Sequence, residues 1–145
     1  MVYLGKFIIP HVEGARQVDL RNVRKVRVRI ERIKEHIEVL NSAKEYGERM
    51  LHTGGKSNYP TDRMSRIVAR IAELTDELVS CALEYDVEVT LAEEAISKLS
   101  ESEQKIARAR YLDGLSWRGV AAKTNYSVSH CRNMNNSIIR KVSTQ

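Results

Sequence analysis

The stretch that decides the fold is VRKVRVRIERIKEHIEVL, residues 23–40. Its apolar residues recur in alternating steps of three and four, the spacing of a coiled-coil seam: Val23, Val26, Ile30, Ile33, Ile37 and Leu40. The pattern begins near residue 18 and continues more weakly through Ala43 or Lys44 to Tyr46 and Met50. It predicts a helix of about 30 residues, about 45 Å long, which needs a partner helix to cover its seam.

A second seam of the same kind predicts that partner. Residues 52–60 have the composition of a loop, and Thr61 or Asp62 can cap the next helix, with Asp62 in its positive first turn. The predicted seam positions are Met64, Ile67, Ile71, Leu74, Leu78, Ala82, Tyr85, Val89, Ala92, Ile96 and Leu99. Two long amphipathic helices joined by a short loop predict an antiparallel hairpin.

The charge is segregated along the chain of 145 residues, whose net charge is +5. Residues 16–34 carry a net +6, residues 35–100 a net −6 and residues 101–145 a net +5. In a hairpin, the basic run would lie along acidic residues of the second helix: Glu84, Asp86, Glu88, Glu93 and Glu94. This favours a salt-bridged or solvated face for the basic run over DNA binding, while the basic C-terminal part indicates a polyanionic partner, with nucleic acid the first candidate.

Residues 100–145 contain the start and stop signals of three helices. Three serines are predicted caps: Ser100, which forms a capping box with Glu103, then Ser116 and Ser127. Two turns separate the helices: Asp113-Gly114, a left-handed stop, and Thr124-Asn125-Tyr126. The predicted inward positions are Ile106, Ala109 and Leu112 in the first helix, Val120 and Ala121 in the second, and Cys131, Met134, Ile138 and Val142 in the third.

A short helix, a tight turn and a second helix with arginine and asparagine side chains on one face are typical of the helix-turn-helix. Arg132 can make two bonds to guanine, and Asn133 or Asn136 can make two to adenine. The other candidate DNA-binding residues, several suited to phosphates, are Arg118, Lys123, Ser127, Ser129, His130 and Arg140. Acidic residues are absent from 114–145, which favours DNA contact over a merely solvated face, although His130 alone could equally serve packing or a turn.

The same residues resemble region 4 of bacterial sigma factors: RYLDGLSW at 110–117, then Val120-Ala121 and Asn125-Tyr126-Ser127. The closer likeness is to the sigma-region-4-like regulators of Gram-positive phages and mobile elements, the ArpU/RinA-type group. The resemblance covers about the last third of the chain and implies control of phage late transcription at a promoter, with RNA polymerase as a further contact. Arg118-Gly119 replaces an acidic residue common in that family, and Cys131 an aliphatic one, so no base preference is carried over.

The sequence therefore predicts an all-α protein with three parts. These are an N-terminal arm (1–17), a long helical hairpin for oligomerisation (18–99) and a sigma region 4-like helix-turn-helix DNA-binding domain (100–145). In the arm, residues 2–4 and 7–9 could form a short strand or an apolar hook. The predicted function is sequence-specific transcriptional regulation of a phage or mobile element by a cytoplasmic dimer that reads the major groove with helix 128–142. The alternatives are a ring-forming small-terminase-like DNA-packaging protein and a protein-interaction adaptor.

Other function classes find little support. Gly55-Lys56-Ser57 lacks the earlier glycine and the leading strand of a phosphate-binding loop. Neither the four histidines nor Cys81 and Cys131 have metal-ligand spacing, and we expect neither catalysis, nor a cofactor, nor a membrane span. Trp117 and Tyr126 are predicted to pack in the core rather than to stack on bases.

Overall fold

A computed structural model describes residues 2–4, 7–9, 17–52 and 61–145. Two strands, β1 (Val2–Leu4) and β2 (Phe7–Ile9), pair antiparallel with Val2 opposite Ile9, so the arm contains the strand that its sequence allowed. The other elements are α1 (Arg21–His52), α2 (Thr61–Ser97), α3 (Glu101–Ala107) with a π-helical turn continuing it (Arg108–Leu112), α4 (Trp117–Thr124) and α5 (Val128–Ser143). The all-α class is confirmed.

The two long helices contact each other as an antiparallel hairpin, as predicted. Arg29 of α1 donates a hydrogen bond to Cys81 Sγ at 3.1 Å and forms an ion pair with Glu84 of α2. The first half of α1 therefore lies against the second half of α2. Halfway along the hairpin, Ile33 and Leu74 are buried with Cys81, because the alternating apolar steps of both helices bring their seams face to face.

The seam differs from the predicted one in α2 and in α1. Ala82 is exposed and Cys81 is buried in its place, because the alternating steps run through 74, 78, 81 and 85. In α1, Tyr46 and Met50 are 50% and 39% exposed, and the seam continues instead through the buried Gly47. A step of four from Ala43 reaches this glycine, which does not end the helix.

The ends of the hairpin loop fall partly outside the described residues. The predicted loop began at His52, which is the last residue of α1, and residues 53–60 are not described. Thr61 is already the first helical residue, so neither Thr61 nor Asp62 is the residue that precedes and caps α2. Asp62 lies in the first turn of α2, as predicted.

One hydrophobic core joins the base of the hairpin to the C-terminal helices. Its buried members come from every helix: Leu20, Val23, Ala92, Ala95, Ile96, Leu99, Ile106, Ala107, Ala109, Tyr111, Val120, Cys131, Ile138 and Val142. The predicted boundary at residues 99 and 100 follows the end of α2, but it does not separate two cores. The side chains of Ile96, Ile106 and Ile138 are completely buried together, and their burial fixes the C-terminal helices on the hairpin.

The caps and turns predicted for residues 100–145 are present. Ser100 and Glu103 make both hydrogen bonds of a capping box, and the Ser116 hydroxyl accepts from the Gly119 N–H at 3.2 Å. Ser127 accepts from the His130 N–H at 3.1 Å. Of the residues that the structure describes, two have a positive φ, Gly114 at 73° and Asn125 at 61°, as the two turns require.

The π-helical turn changes which residues of its segment face inward. The Asp113 N–H donates to the Arg108 carbonyl, five residues back, at 2.9 Å. This wider turn buries Tyr111, which was not among the predicted inward positions, and leaves the predicted Leu112 only half-buried. The predicted positions Ile106 and Ala109 are buried.

Candidate nucleic-acid interface

Helices α4 and α5 are joined by the three-residue turn 125–127. Asn125 turns the chain because its side chain tolerates the left-handed conformation better than most residues do. Val120 of α4 is completely buried in the shared core, together with Cys131 and Ile138 of α5. Burial of that face directs the opposite face of α5 to solvent.

All nine predicted DNA-binding residues are exposed: Arg118, Lys123, Ser127, Ser129, His130, Arg132, Asn133, Asn136 and Arg140. Arg132, Asn136 and Arg140 follow at steps of four, with Asn133 beside Arg132, so these side chains share one face of α5. Within the described part of the chain, the side chains of these four residues form neither a hydrogen bond nor an ion pair. Two guanidinium groups and two amides are therefore available to an external partner.

Three of the predicted residues have intramolecular contacts. Lys123 Nζ lies 2.6 Å from Asp113 Oδ2, in an exposed ion pair. The Ser127 oxygen caps α5, although its hydroxyl hydrogen can still be donated to a phosphate. The ring of His130 lies 4.9 Å from that of Tyr126, which is 36% exposed, so the prediction that Tyr126 packs in the core is wrong.

Asn135 points away from the exposed face of α5. Its Oδ1 accepts a hydrogen bond from the Tyr111 hydroxyl at 2.5 Å, and this contact joins the π-helical turn to α5. Burial raises the pKa of Tyr111, although the bond to Asn135 opposes that rise. Of the two neighbouring asparagines, Asn135 is structural, whereas Asn136 is free to contact a ligand.

A cleft beside α5 brings in two arginines that sequence reasoning did not place at the site. Its described lining includes Arg24 of α1, Arg110 of the π-helical turn, Trp117 and Arg118 of α4, and Arg132 of α5. Arg110 stacks over the Trp117 ring, with Cζ 4.5 Å from the ring centroid, and donates to the Leu115 carbonyl at 2.9 Å. Trp117 is half-buried against the core, as predicted.

The charges in this cleft repel one another. Burial lowers the pKa of Arg110, and the positive charges of Arg24 and then Arg132 lower it further. Arginine nevertheless stays protonated in proteins, so the cleft keeps its positive charge. No sequence signal could have placed Arg24 here, because its position depends on how α1 packs against the C-terminal helices.

Other kinds of site have no support in the described residues. No group of three or more His, Cys, Asp or Glu side chains there is arranged to hold a metal ion. Cys81 and Cys131 are buried free thiols. Among the described helices, none combines the length and apolar character needed to span a membrane.

Comparison with known proteins gives one match. Residues 24–144 match a protein family of unknown function (DUF722), and the chain therefore belongs to that family. Neither a curated protein nor a solved structure matches the chain.

Proposed function

We propose that this protein is a sequence-specific, double-stranded-DNA-binding transcriptional regulator of a phage or mobile element, acting in the cytoplasm of its bacterial host. The observation that carries the proposal is the exposed face of α5, where Arg132, Asn133, Asn136 and Arg140 project to solvent beside a tight turn. The opposite face of α5 is buried, so the helix is held as a rigid element that a major groove can accommodate.

The side chains divide into two roles. Arg132 would pair with guanine and Asn133 or Asn136 with adenine, because each can make two hydrogen bonds to a base edge. Arg118, Lys123, Ser127 and Arg140 would bind phosphates, which fix the register of the helix without reading sequence. Ser129 and His130, in the first turn of α5, lie where a recognition helix approaches the groove.

A dimer formed through the helical hairpin is part of this proposal, with contacts that lie outside the apolar seam. The apolar seam residues of α1, such as Ile33, pack against α2 of the same chain and are unavailable to a second copy. Outward-facing residues that could replace them include Val39, Val68 and Val79, which are 66%, 48% and 41% exposed. Such a dimer would place its two α5 helices about one helical turn of DNA apart.

The test is selection of bound fragments from the source genome, followed by titration of the selected duplex. Arg132→Ala should cost about 1–3 kcal/mol on that duplex and relax the preference at one base position. Arg49→Ala, an exposed arginine of α1 at the other end of the hairpin, is the control and should bind like the wild type. Equal losses from Arg132→Ala on every duplex would overturn the assignment of Arg132 to base reading.

The mass of the complex and the identity of the selected fragments test the alternative. Promoter fragments bound by a dimer support regulation, and co-purification of RNA polymerase would extend it to a polymerase contact. A ring that selects packaging sites would instead support a small-terminase-like function. A protein that retains no DNA at low salt would be an interaction adaptor, and the proposal would fail.

A further inference from the structure

The first half of α1 presents an exposed cationic face. Arg21, Arg24, Lys25, Val28 and Arg32 are exposed and follow at steps of three, one, three and four, so they lie on one side of the helix. We call this side, with the cations Arg24, Lys25 and Arg32, the α1 basic face. Arg21 lies at its end and is bound to Asp19 through its Nε at 2.9 Å.

Three basic residues on the other sides of α1 are paired with carboxylates, whereas Arg24, Lys25 and Arg32 of the α1 basic face are not. Arg29 pairs with Glu84, Lys34 with Glu31 at 3.2 Å and Lys44 with Glu48 at 3.7 Å. Arg24, Lys25 and Arg32 have no hydrogen-bonded carboxylate among the residues that the structure describes. The predicted ion pairing of the basic run with α2 is therefore observed for Arg29, but it does not explain why Arg24, Lys25 and Arg32 share one exposed face.

The α1 basic face is continuous with the C-terminal site. One cleft along α1 is lined by Arg24, Lys25 and Arg32 together with Arg110 and Trp117. The cleft beside α5 shares Arg24, Arg110 and Trp117 with it. Asp and Glu are missing from the described lining of both clefts, so a single positive surface runs from Arg32 across Arg110 to Arg132.

Such a surface suits an extended polyanion better than a small anion. Gathering like charges without carboxylates costs free energy that a bound polyanion would recover by pairing with each cation and releasing its counterions. From Arg24 to Arg32 the helix rises about 12 Å, which corresponds to about three to four base pairs at 3.4 Å each. This length allows several phosphates of one strand to be contacted in succession.

We propose that the α1 basic face and Arg110 bind the phosphates of the duplex that flank the bases read by α5. The hairpin base is then part of the DNA interface, and not merely a platform for oligomerisation. This inference rests on the proposed function, because it takes the duplex to be already placed against α5. It assigns Arg24, Lys25 and Arg32 a sequence-independent role that complements base reading by Arg132.

The test compares two triple variants of the same helix with the same change of charge. The first, Arg24→Gln with Lys25→Gln and Arg32→Gln, removes the α1 basic face. The second, Lys34→Gln with Lys44→Gln and Arg49→Gln, removes three cations outside it and is the control. All six side chains are at least partly exposed, and equal circular dichroism and urea midpoints would verify that both variants are folded.

Dissociation constants are measured at several salt concentrations, on the preferred duplex and on an unrelated duplex of equal length. We expect the first variant to bind both duplexes at least tenfold more weakly than the control, with the preference between them retained. The slope of log affinity against log salt should become shallower by about 0.9 for each phosphate that the variant no longer neutralises.

Three outcomes would overturn this inference, and they differ from failure of the proposed function. If the wild type prefers its site and both variants bind alike, the inference fails and the function of α5 stands. The inference also fails if the first variant binds only the preferred duplex more weakly, because lost phosphate contacts should weaken binding to every sequence. If the wild type binds no duplex, both proposals fail.

Discussion

The guanidinium of Arg27 occupies the space that a side chain at residue 114 would need, since a Cβ built on Gly114 would overlap Arg27 Nη1. The same guanidinium donates to the Leu112 carbonyl and, at 2.9 Å, to the Tyr85 hydroxyl. One residue of α1 thus links α2 to the loop that ends the π-helical turn. Glycine is favoured at residue 114 both by the φ of 73° and by this close approach.

Gly114→Ala should therefore destabilise the protein by about 1–3 kcal/mol, because alanine is strained at positive φ and its methyl group displaces Arg27. Urea unfolding of this variant, of Arg27→Ala and of the double variant separates the two causes. In the Arg27→Ala background the cost of Gly114→Ala should fall, because the overlap is gone and only the backbone strain remains. An unchanged cost would mean that Arg27 moves aside freely.

Glu103 should make stability depend on pH. It is buried, accepts from Lys141 Nζ at 2.6 Å and completes the capping box with Ser100. The hydrogen bond from Lys141, above all, holds the pKa of Glu103 below its ordinary 4.5. Its contribution is therefore present above about pH 4.5, the unfolded-state value, and is lost as the pH falls through the lower pKa of the folded state.

We expect Glu103→Gln to lower the free energy of unfolding by about 1–2 kcal/mol at pH 7. The effect should shrink as the pH falls through the lowered pKa of Glu103 in the folded state, because the wild type then loses the same interaction. Glu101→Gln is the matched control, because Glu101 is an exposed residue of the same helical turn paired with Lys105. It should change stability by no more than about 0.5 kcal/mol. A Glu103→Gln effect as small as this would contradict the prediction.

The neighbouring asparagines of α5 should show opposite effects. Asn135→Ala leaves the Tyr111 hydroxyl without its acceptor and should cost about 1–2 kcal/mol of stability. Asn136→Ala removes an exposed side chain and should leave stability within about 0.5 kcal/mol while weakening binding to the preferred duplex. Urea unfolding and DNA titration of the two variants check this. A loss of stability from Asn136→Ala, with a loss of binding from Asn135→Ala, would show that the other face of α5 contacts the DNA.

Asp113 should restrain DNA binding, because its carboxylate holds Lys123 in an ion pair. Asp113→Asn would free Lys123 for a phosphate and should strengthen binding to all duplexes, with a salt dependence steeper by about one additional phosphate. In a variant that also carries Lys123→Ala, the gain should disappear apart from the general effect of the removed negative charge. An equal gain in both variants would show that Lys123 does not reach the DNA.

Much of the fold could be predicted because its signals are local. The caps at Ser100, Ser116 and Ser127 and the turns at Gly114 and Asn125 depend on neighbouring residues alone. The alternating apolar steps likewise predicted the hairpin, since a seam of this length needs a partner.

What could not be predicted depends on packing between distant segments. The burial of Tyr111 follows from a π-helical turn, and nothing in its local sequence distinguishes that turn from a regular helix. The exchange of Ala82 for Cys81 in the seam depends on the register between α1 and α2. The cleft that joins Arg24 to Arg110 exists because the first part of α1 packs against the π-helical turn.

The core shared by Ile96, Ile106 and Ile138 limits how this family can exchange parts. Recombination between related genes at the junction of residues 99 and 100 would join the hairpin of one protein to the C-terminal helices of another. The core residues on the two sides of the junction would then come from different proteins. Chimaeras built at this junction should therefore have a poorly packed core. A crossover farther along the hairpin would instead transfer the base of the hairpin together with the C-terminal helices, and the core would stay intact. Under the proposed function, DNA preference would diversify through substitutions on the outer face of α5, which leave this core unchanged.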